Sequence, residues 1–249
     1  MRRLLTVSLL ISLLATASSA QTIDDLFLMS EEFPPYNFRE NGETKGTSID
    51  LMVLILQKLN SRQGRNDIHI LPWARAYKYL LERPDTVLFA MTRTHEREKL
   101  FKWVGPISTA RNVLIARKEK RITIHSTDDI KRFKVGAVRN DAGAQLVAWK
   151  AGTGMEAVTV LPDAIQCIQM LNRGGIDLFA YDENVMAWLI NKNSLNPLDY
   201  EVVFVLEEGF HYFGFHRETP DPLIEQFQKA LDDIKALGTY DAIKKRYLP

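Results

Sequence analysis

The chain has 249 residues, with 32 basic side chains against 31 acidic ones, five histidines and one cysteine. So even a balance leaves no basic face for nucleic acid and no polybasic patch for a membrane surface. The lone Cys167 cannot close an internal disulfide, and the length suits one large domain or two lobes of about 100 residues each.

Residues 1–20 have the layout of a secretory signal peptide. Arg2 and Arg3 form a short basic start, Leu4 to Ala15 is apolar apart from small hydroxyl residues, and Ser18-Ser19-Ala20 offers a small-residue cleavage site. The run is too short to span a bilayer comfortably. No cysteine stands beside Gln21 to take a lipid, so the expected product is a free periplasmic protein that starts near Gln21. No later segment is apolar enough to cross a membrane.

From Gln21 onward, apolar β-branched runs alternate with amphipathic helical patterns, which predicts an α/β architecture. Ile23 to Met29 reads as a first strand. Phe33-Pro34-Pro35-Tyr36 then imposes an extended loop, because each proline fixes its own φ and restricts the residue before it. The spacing of Met52, Ile55, Leu56 and Leu59 predicts a helix from about Ser48 to Asn60. Ile68 to Leu71 and Thr86 to Phe89 read as strands, with a helix from Ala74 to Leu81 between them. Repeated strand–helix–strand units imply parallel pairing with right-handed crossovers.

A second set of elements follows. Val113 to Ala116, Phe133 to Val138, Val158 to Leu161, Ile176 to Tyr181 and Tyr200 to Leu206 read as strands. Asp163 to Asn172 reads as a helix stopped by Gly174-Gly175. Cys167 falls with Ala164, Ile168 and Leu171 on one face of it, the position of a buried structural thiol. A last helix starts at Asp221-Pro222, presents Leu223, Phe227, Ala230, Leu231 and Ile234 on one side, and ends at Gly238.

Motifs for common chemistries are missing from the sequence. The histidines show no ligand spacing, so no metal is expected. No phosphate loop, dinucleotide fingerprint or nucleophile elbow can be placed, so no cofactor is expected either. The informative stretch is Ala90 to Arg97, which leaves a buried strand at its carboxyl end, where open α/β sheets bind ligands. There Thr92 and Thr94 bring hydroxyls, and Arg97 brings a fork suited to a carboxylate. The same residues also read as a charged helix start in solvent.

Four marks in chain order resemble the periplasmic solute-binding proteins of polar amino-acid ABC transporters (family 3), similar to those for histidine and for lysine, arginine and ornithine. They are Phe33-Pro34-Pro35-Tyr36-Asn37-Phe38 with Gly46 and Ile49-Asp50-Leu51, then Thr92 to Arg97, then Gly174-Gly175-Ile176-Asp177 with Asp182, and finally Gly238-Thr239-Tyr240 with Ile243 and Tyr247. The resemblance covers essentially the whole chain after residue 20. It implies a two-lobed α/β fold with a ligand cleft and a two-strand hinge near Ile115 and Phe210. One lobe would be 21–114 plus 211–249, and the other 115–210. It also implies a monomer that binds a small molecule, presents its closed state to a membrane permease, and does no chemistry.

Carried over to these positions, the resemblance has Arg97 grip the ligand carboxylate with help from Thr92. Phe33 and Trp73 would sandwich the ligand's stem, and Asp182 would meet its ammonium group. The residues alone leave Phe33 and Trp73 open as core aromatics and Asp182 open as a helix cap. One stretch departs from the family pattern. Val138-Arg139-Asn140-Asp141-Ala142-Gly143 stands where relatives are rich in threonine, and Arg93 stands where they are apolar. Either Arg139 supplies a second cation for the carboxylate, or Asp141 turns the site toward a more cationic ligand. Two other functions fit the same fold: a sensory protein that signals to a membrane receptor, and an enzyme like cyclohexadienyl dehydratase that uses Asp141 or Asp182 as an acid.

Overall fold

The computed structural model describes residues 21–247, so the expected signal segment lies outside the described residues. The chain runs through β1 (Phe27–Ser30), β2 (Phe38–Glu40), β3 (Glu43–Lys45), α1 (Thr47–Lys58), β4 (His69–Ile70), α2 (Trp73–Glu82), β5 (Thr86–Thr92) and β6 (Phe101–Arg117). It continues through β7 (Val135–Val138), α3 (Ala142–Ala151), β8 (Val158–Leu161), α4 (Ala164–Asn172), β9 (Leu178–Asp182), α5 (Glu183–Lys192), β10 (Tyr200–His216), α6 (Asp221–Ala236) and α7 (Thr239–Tyr247).

Eight strands form one sheet in the order β4-β1-β5-β10-β6-β9-β7-β8. β4, β1 and β5 are parallel to one another, as are β8, β7 and β9. β10 and β6 lie antiparallel between the two groups and pair with each other from Tyr200↔Arg117 to His216↔Phe101. β10 meets β5 through His211 to Phe215, whereas β6 meets β9 through Asn112 to Ala116. Two parallel α/β units therefore share only these two strands, which makes an α/β fold with a mixed sheet and two lobes.

Each unit has the burial pattern its sequence prescribes. β5 and β9 are buried at every position, as strands covered on both faces must be. The apolar face of α6 is the stripe read from spacing: Leu223, Phe227, Ala230, Leu231 and Ile234 are all buried. On α4, Ala164, Cys167, Ile168 and Leu171 are buried likewise. Burying a side chain of this size stabilises the fold by roughly 1.5–3 kcal/mol. Burial also pushes the Cys167 thiol well above its usual range, so it stays protonated.

α1 begins at Gly46, whose φ of 122° and tight contact suit glycine alone: a Cβ there would lie 2.2 Å from the Tyr36 carbonyl oxygen. That approach lets the Ser48 N–H donate to the same carbonyl at 2.9 Å, which ties the proline loop to the start of α1. Behind α1, the buried Asp50 accepts from Arg65 at 2.7 Å, Arg246 at 2.8 Å and the Tyr247 hydroxyl at 3.0 Å, which fastens α7 to the same unit.

Several expected boundaries move. The first strand starts at Phe27, because Ile23–Asp25 form a 3₁₀ turn in which the Asp25 carboxylate accepts from the Thr22 N–H and hydroxyl. The short strands expected at Val113 and Tyr200 are parts of the 17-residue β6 and β10. α3 and α7 have no counterpart in the sequence-based expectations, and α5 has only the cap at Asp182.

Candidate functional site

β5 ends at Thr92, and the turn after it carries Arg97 back under the strand. Ala90 makes this possible by taking φ 51°, in the left-handed region that alanine disfavours, where the pairing of β5 with β10 slips between Tyr212 and Gly214. Arg97 is only 1% exposed. Its Nη1 donates to the Thr92 carbonyl at 3.2 Å, and its Nη2 donates to the Asn140 carbonyl at 3.0 Å. Those carbonyls belong to different units, so the guanidinium joins the two halves. Trp73 and Tyr77, one helical turn apart on α2, flank it with ring centroids 5.2 Å from Cζ. The Arg97 Nε–H and the Trp73 indole N–H have no protein partner.

Two acids, Asp141 and Glu31, feel the charge of this cation. Asp141 is buried at the start of α3, where it caps the helix by accepting from Gly143 N–H at 3.4 Å. Burial raises its pKa, and Arg97 and the backbone N–H groups oppose the rise. Glu31, on the loop after β1, is half-buried. Its pKa lies well above the ordinary value, chiefly through burial and then through repulsion by Asp141, against the pull of Arg97.

Asp182 ends β9 and caps α5, accepting from Val185 N–H at 3.1 Å. Burial lifts its pKa to about 7, although N–H groups of Val185 and Arg111 favour the charged form. Opposite it stands His211 on β10, with Nε2 3.7 Å from Asp182 Oδ2 and Nδ1 2.9 Å from the Ser108 hydroxyl. Burial, aided by the Arg97 charge, depresses His211 to about 3. The imidazole is therefore neutral at physiological pH, and its contact with Asp182 is not an ion pair.

Aromatic rings line the rest of the site. Phe33 packs edge-on to Tyr181 at 5.7 Å and to His211 at 5.6 Å. The Tyr36 hydroxyl donates to the Thr109 carbonyl at 3.3 Å and accepts from Asn184 at 3.0 Å, a second link between the halves. Phe38 meets Trp188 at 5.4 Å and Lys192 lies 3.6 Å from Glu40, so α5 rests on the β2–β3 hairpin. A cleft of about 380 Å³ opens between the units, with Glu31, Glu32 and Trp73 on one wall and Asp163, Ala164 and Tyr181 on the other. A larger cavity of about 490 Å³ lies around Asp50; of its cations Arg39, Lys45, Arg65 and Arg246, the last three are already paired.

Arg97, Trp73, Asp141 and the Thr92 backbone come together in one cluster. Phe33 and Asp182 come together in a second, through His211, which feels the Arg97 charge. Trp73 faces the guanidinium, whereas Phe33 faces Tyr181 and His211. Arg139 is exposed and makes only a backbone bond, N–H to the Leu161 carbonyl at 2.9 Å. Arg93 is exposed too, paired with Glu98 at 2.6 Å and stacked on Tyr212. Glu31, Tyr77, Tyr181 and His211 escaped the sequence reading. Tyr77 was discoverable from its i+4 spacing to Trp73; His211 was weighed only as a metal ligand. Among the described residues, no group of three His, Cys, Asp or Glu side chains is placed to hold a metal, and no helix is long and apolar enough to cross a membrane.

Residues 27–249 match the family described as bacterial extracellular solute-binding proteins, family 3. A probable histidine-binding protein from Neisseria gonorrhoeae is 24% identical over 221 residues, covering 87% of this chain and 80% of that one. ABC transporter arginine-binding protein 1 from Escherichia coli (strain K12) is 27% identical over 260 residues, covering 100% of both. Among solved structures, an ancestral arginine-binding protein bound to arginine superposes with a TM-score of 0.74 at 26% identity, covering 90% of this chain and 99% of that one.

Proposed function

The chain belongs to the bacterial extracellular solute-binding proteins, family 3, and on that footing we propose that it captures one amino acid between its lobes and, once closed, hands it to an ABC permease. The observation that carries this reading is the Arg97 guanidinium, buried where carbonyls of both units converge. Its free Nε–H and the Asp182 carboxylate offer opposite charges within one closed cleft, as the carboxylate and ammonium of an α-amino acid require. An unmatched charge is costly in such a cleft, so a solute lacking either group is rejected.

In this reading 21–114 with 211–249 form one lobe and 115–210 the other. The chain crosses between them on β6 within Thr109–Ile115 and on β10 near Phe210. The pairing supports this, because β6 acquires β9 as a partner from Asn112 and β10 acquires β5 at His211. Rotation about two strands opens and shuts the cleft, and the ligand favours the shut form because only there does it touch both walls. Residues 1–20 are proposed as a cleaved export signal, and the mature protein as a periplasmic monomer that leaves its ligand unchanged.

A thermal-shift panel on the mature protein, refolded free of ligand, tests the reading. One or a few amino acids raise the melting temperature by several degrees at saturating concentration. A rise with dicarboxylates or polyamines and none with any amino acid contradicts it.

A further inference from the structure

We propose that α5 and the chain entering β2 form a seam between the lobes, centred on Trp188 and Phe38, that sets the affinity for every solute by stabilising the shut form without touching the solute. The inference rests on the two-lobed, amino-acid-binding reading above and adds what holds the lobes together beside the ligand.

Three contacts make the seam, and they fall in register. The Asn184 side-chain NH₂ donates to the Tyr36 hydroxyl at 3.0 Å, the Trp188 and Phe38 ring centroids lie 5.4 Å apart, and Lys192 Nζ lies 3.6 Å from Glu40. Asn184, Trp188 and Lys192 are spaced four residues apart on α5, so they share one face and rise by about 6 Å at each step. Opposite them, Phe38 and Glu40 are alternate residues of β2, on one face and about 6.6 Å apart. The two spacings match, so a helix of one lobe lies along a strand of the other.

This face of α5 is not the one that holds the helix in its own lobe. The buried residues of α5 are Val185, Met186 and Ile190, and the helix packs on β6 and β9. Trp188 is only half-buried, and among the described residues its one aromatic neighbour is Phe38. Lys192 lies over the same indole, 5.3 Å from its centroid, and so both covers the ring and reaches Glu40. Phe38 is buried and braced within its own lobe by Tyr247, edge-on at 6.2 Å. None of these side chains lines the cleft of about 380 Å³.

When the lobes part, the two rings lose each other and meet water, which opposes opening. Part of the ligand-free protein is therefore shut, and the apparent affinity for any solute scales with that fraction. A change in the seam multiplies every dissociation constant by one factor and leaves their ratios alone. A side chain that touches the solute changes the ratios instead.

Titration calorimetry separates the two. The mature wild type is titrated with each common amino acid, and Trp188→Ala with every one that binds. Each is expected to bind the variant roughly ten-fold more weakly, the scale of a lost aromatic pair, with the ratios among them unchanged. Trp188→Phe keeps an aromatic partner for Phe38 and recovers most of the affinity. In a protein that already carries Phe38→Ala, adding Trp188→Ala weakens binding by less than about two-fold, because the pair acts as one contact. A cooperatively folded Trp188→Ala protein that binds within about two-fold of wild type overturns the seam and leaves the amino-acid reading standing. So does a loss that differs from one amino acid to the next by more than about three-fold. Failure of every amino acid to bind the wild type overturns both.

Discussion

Arg97→Ala is expected to weaken amino-acid binding roughly a thousand-fold, the scale for truncating one partner of a buried, hydrogen-bonded charge pair. The guanidinium is buried between carbonyls of the two units, and its aim is fixed before any ligand arrives. Thr92 and Asn140 carbonyls hold two of its nitrogens, and Trp73 and Tyr77 hold its plane. A ligand carboxylate therefore meets a preorganised donor. Arg97→Lys keeps the charge and loses both the fork and the stacking, so it rescues only part of the affinity. Calorimetric titration of both variants checks this, with circular dichroism confirming the fold. An Arg97→Ala protein that binds within ten-fold of wild type contradicts the assignment.

Binding is expected to tighten about ten-fold per pH unit from pH 5 to 7 and to level off above 7. An ammonium group is recognised by ionised Asp182, whose carboxyl titrates at about 7 because it is buried. Below that pH, each unit reduces the ionised fraction about ten-fold. Asp182→Asn keeps the cap on α5, since asparagine caps as well as aspartate, and is expected to weaken binding and abolish the slope. Titrations at four pH values distinguish the outcomes: an unchanged slope in the variant removes Asp182 from the site.

The same pair governs stability with opposite signs. Asp182 has a folded pKa raised from 3.8 to about 7, so the folded state holds a proton that the unfolded state releases. Its contribution, roughly 4 kcal/mol, is fully present below pH 4 and is lost as pH rises through 7. His211 has a folded pKa lowered from 6.5 to about 3, so its contribution is present above pH 6.5 and is lost as pH falls through 3. Between pH 4 and 6.5 the two slopes nearly cancel. Asp182→Asn removes the falling slope of this pair, so its urea midpoints should rise relative to wild type as pH increases across that interval.

Much of the architecture was legible because its signals are local. The stripe on α6, the Asp163 start of α4 and the buried run of β5 each follow from spacing or capping within a few residues. The long crossing strands were not. Gly105, Pro106 and Gly209 interrupt β6 and β10, and the register slips between Val202 and Phe204 and again between Val205 and Glu207, so neither alternation nor a continuous apolar run survives. α3 was hidden for another reason: it is buried on most of its surface, with little amphipathic contrast. Its Gly143 is seated where a Cβ would lie 2.4 Å from the Ala180 carbonyl oxygen, a tertiary contact that no short-range pattern reveals.

The site divides the same way. Arg97, at the exit of a buried strand, and Asp182, before a helix, were legible from position. The exposure of Arg139 was not, because Arg139 and Asp141 differ only in which way a two-residue turn points them. Asn140, with φ 62°, makes that turn and sends its carbonyl to Arg97. Glu31 had no signal of its own, since its character comes chiefly from burial against elements distant in the chain.

Small-angle scattering of the mature protein, with and without saturating ligand, tests the central claim of closure most directly. A closed chain of this size has a radius of gyration of about 17 Å. The account predicts a larger value for the ligand-free protein and a fall toward that figure on binding. A ligand that binds at saturation and leaves the scattering curve unchanged contradicts it.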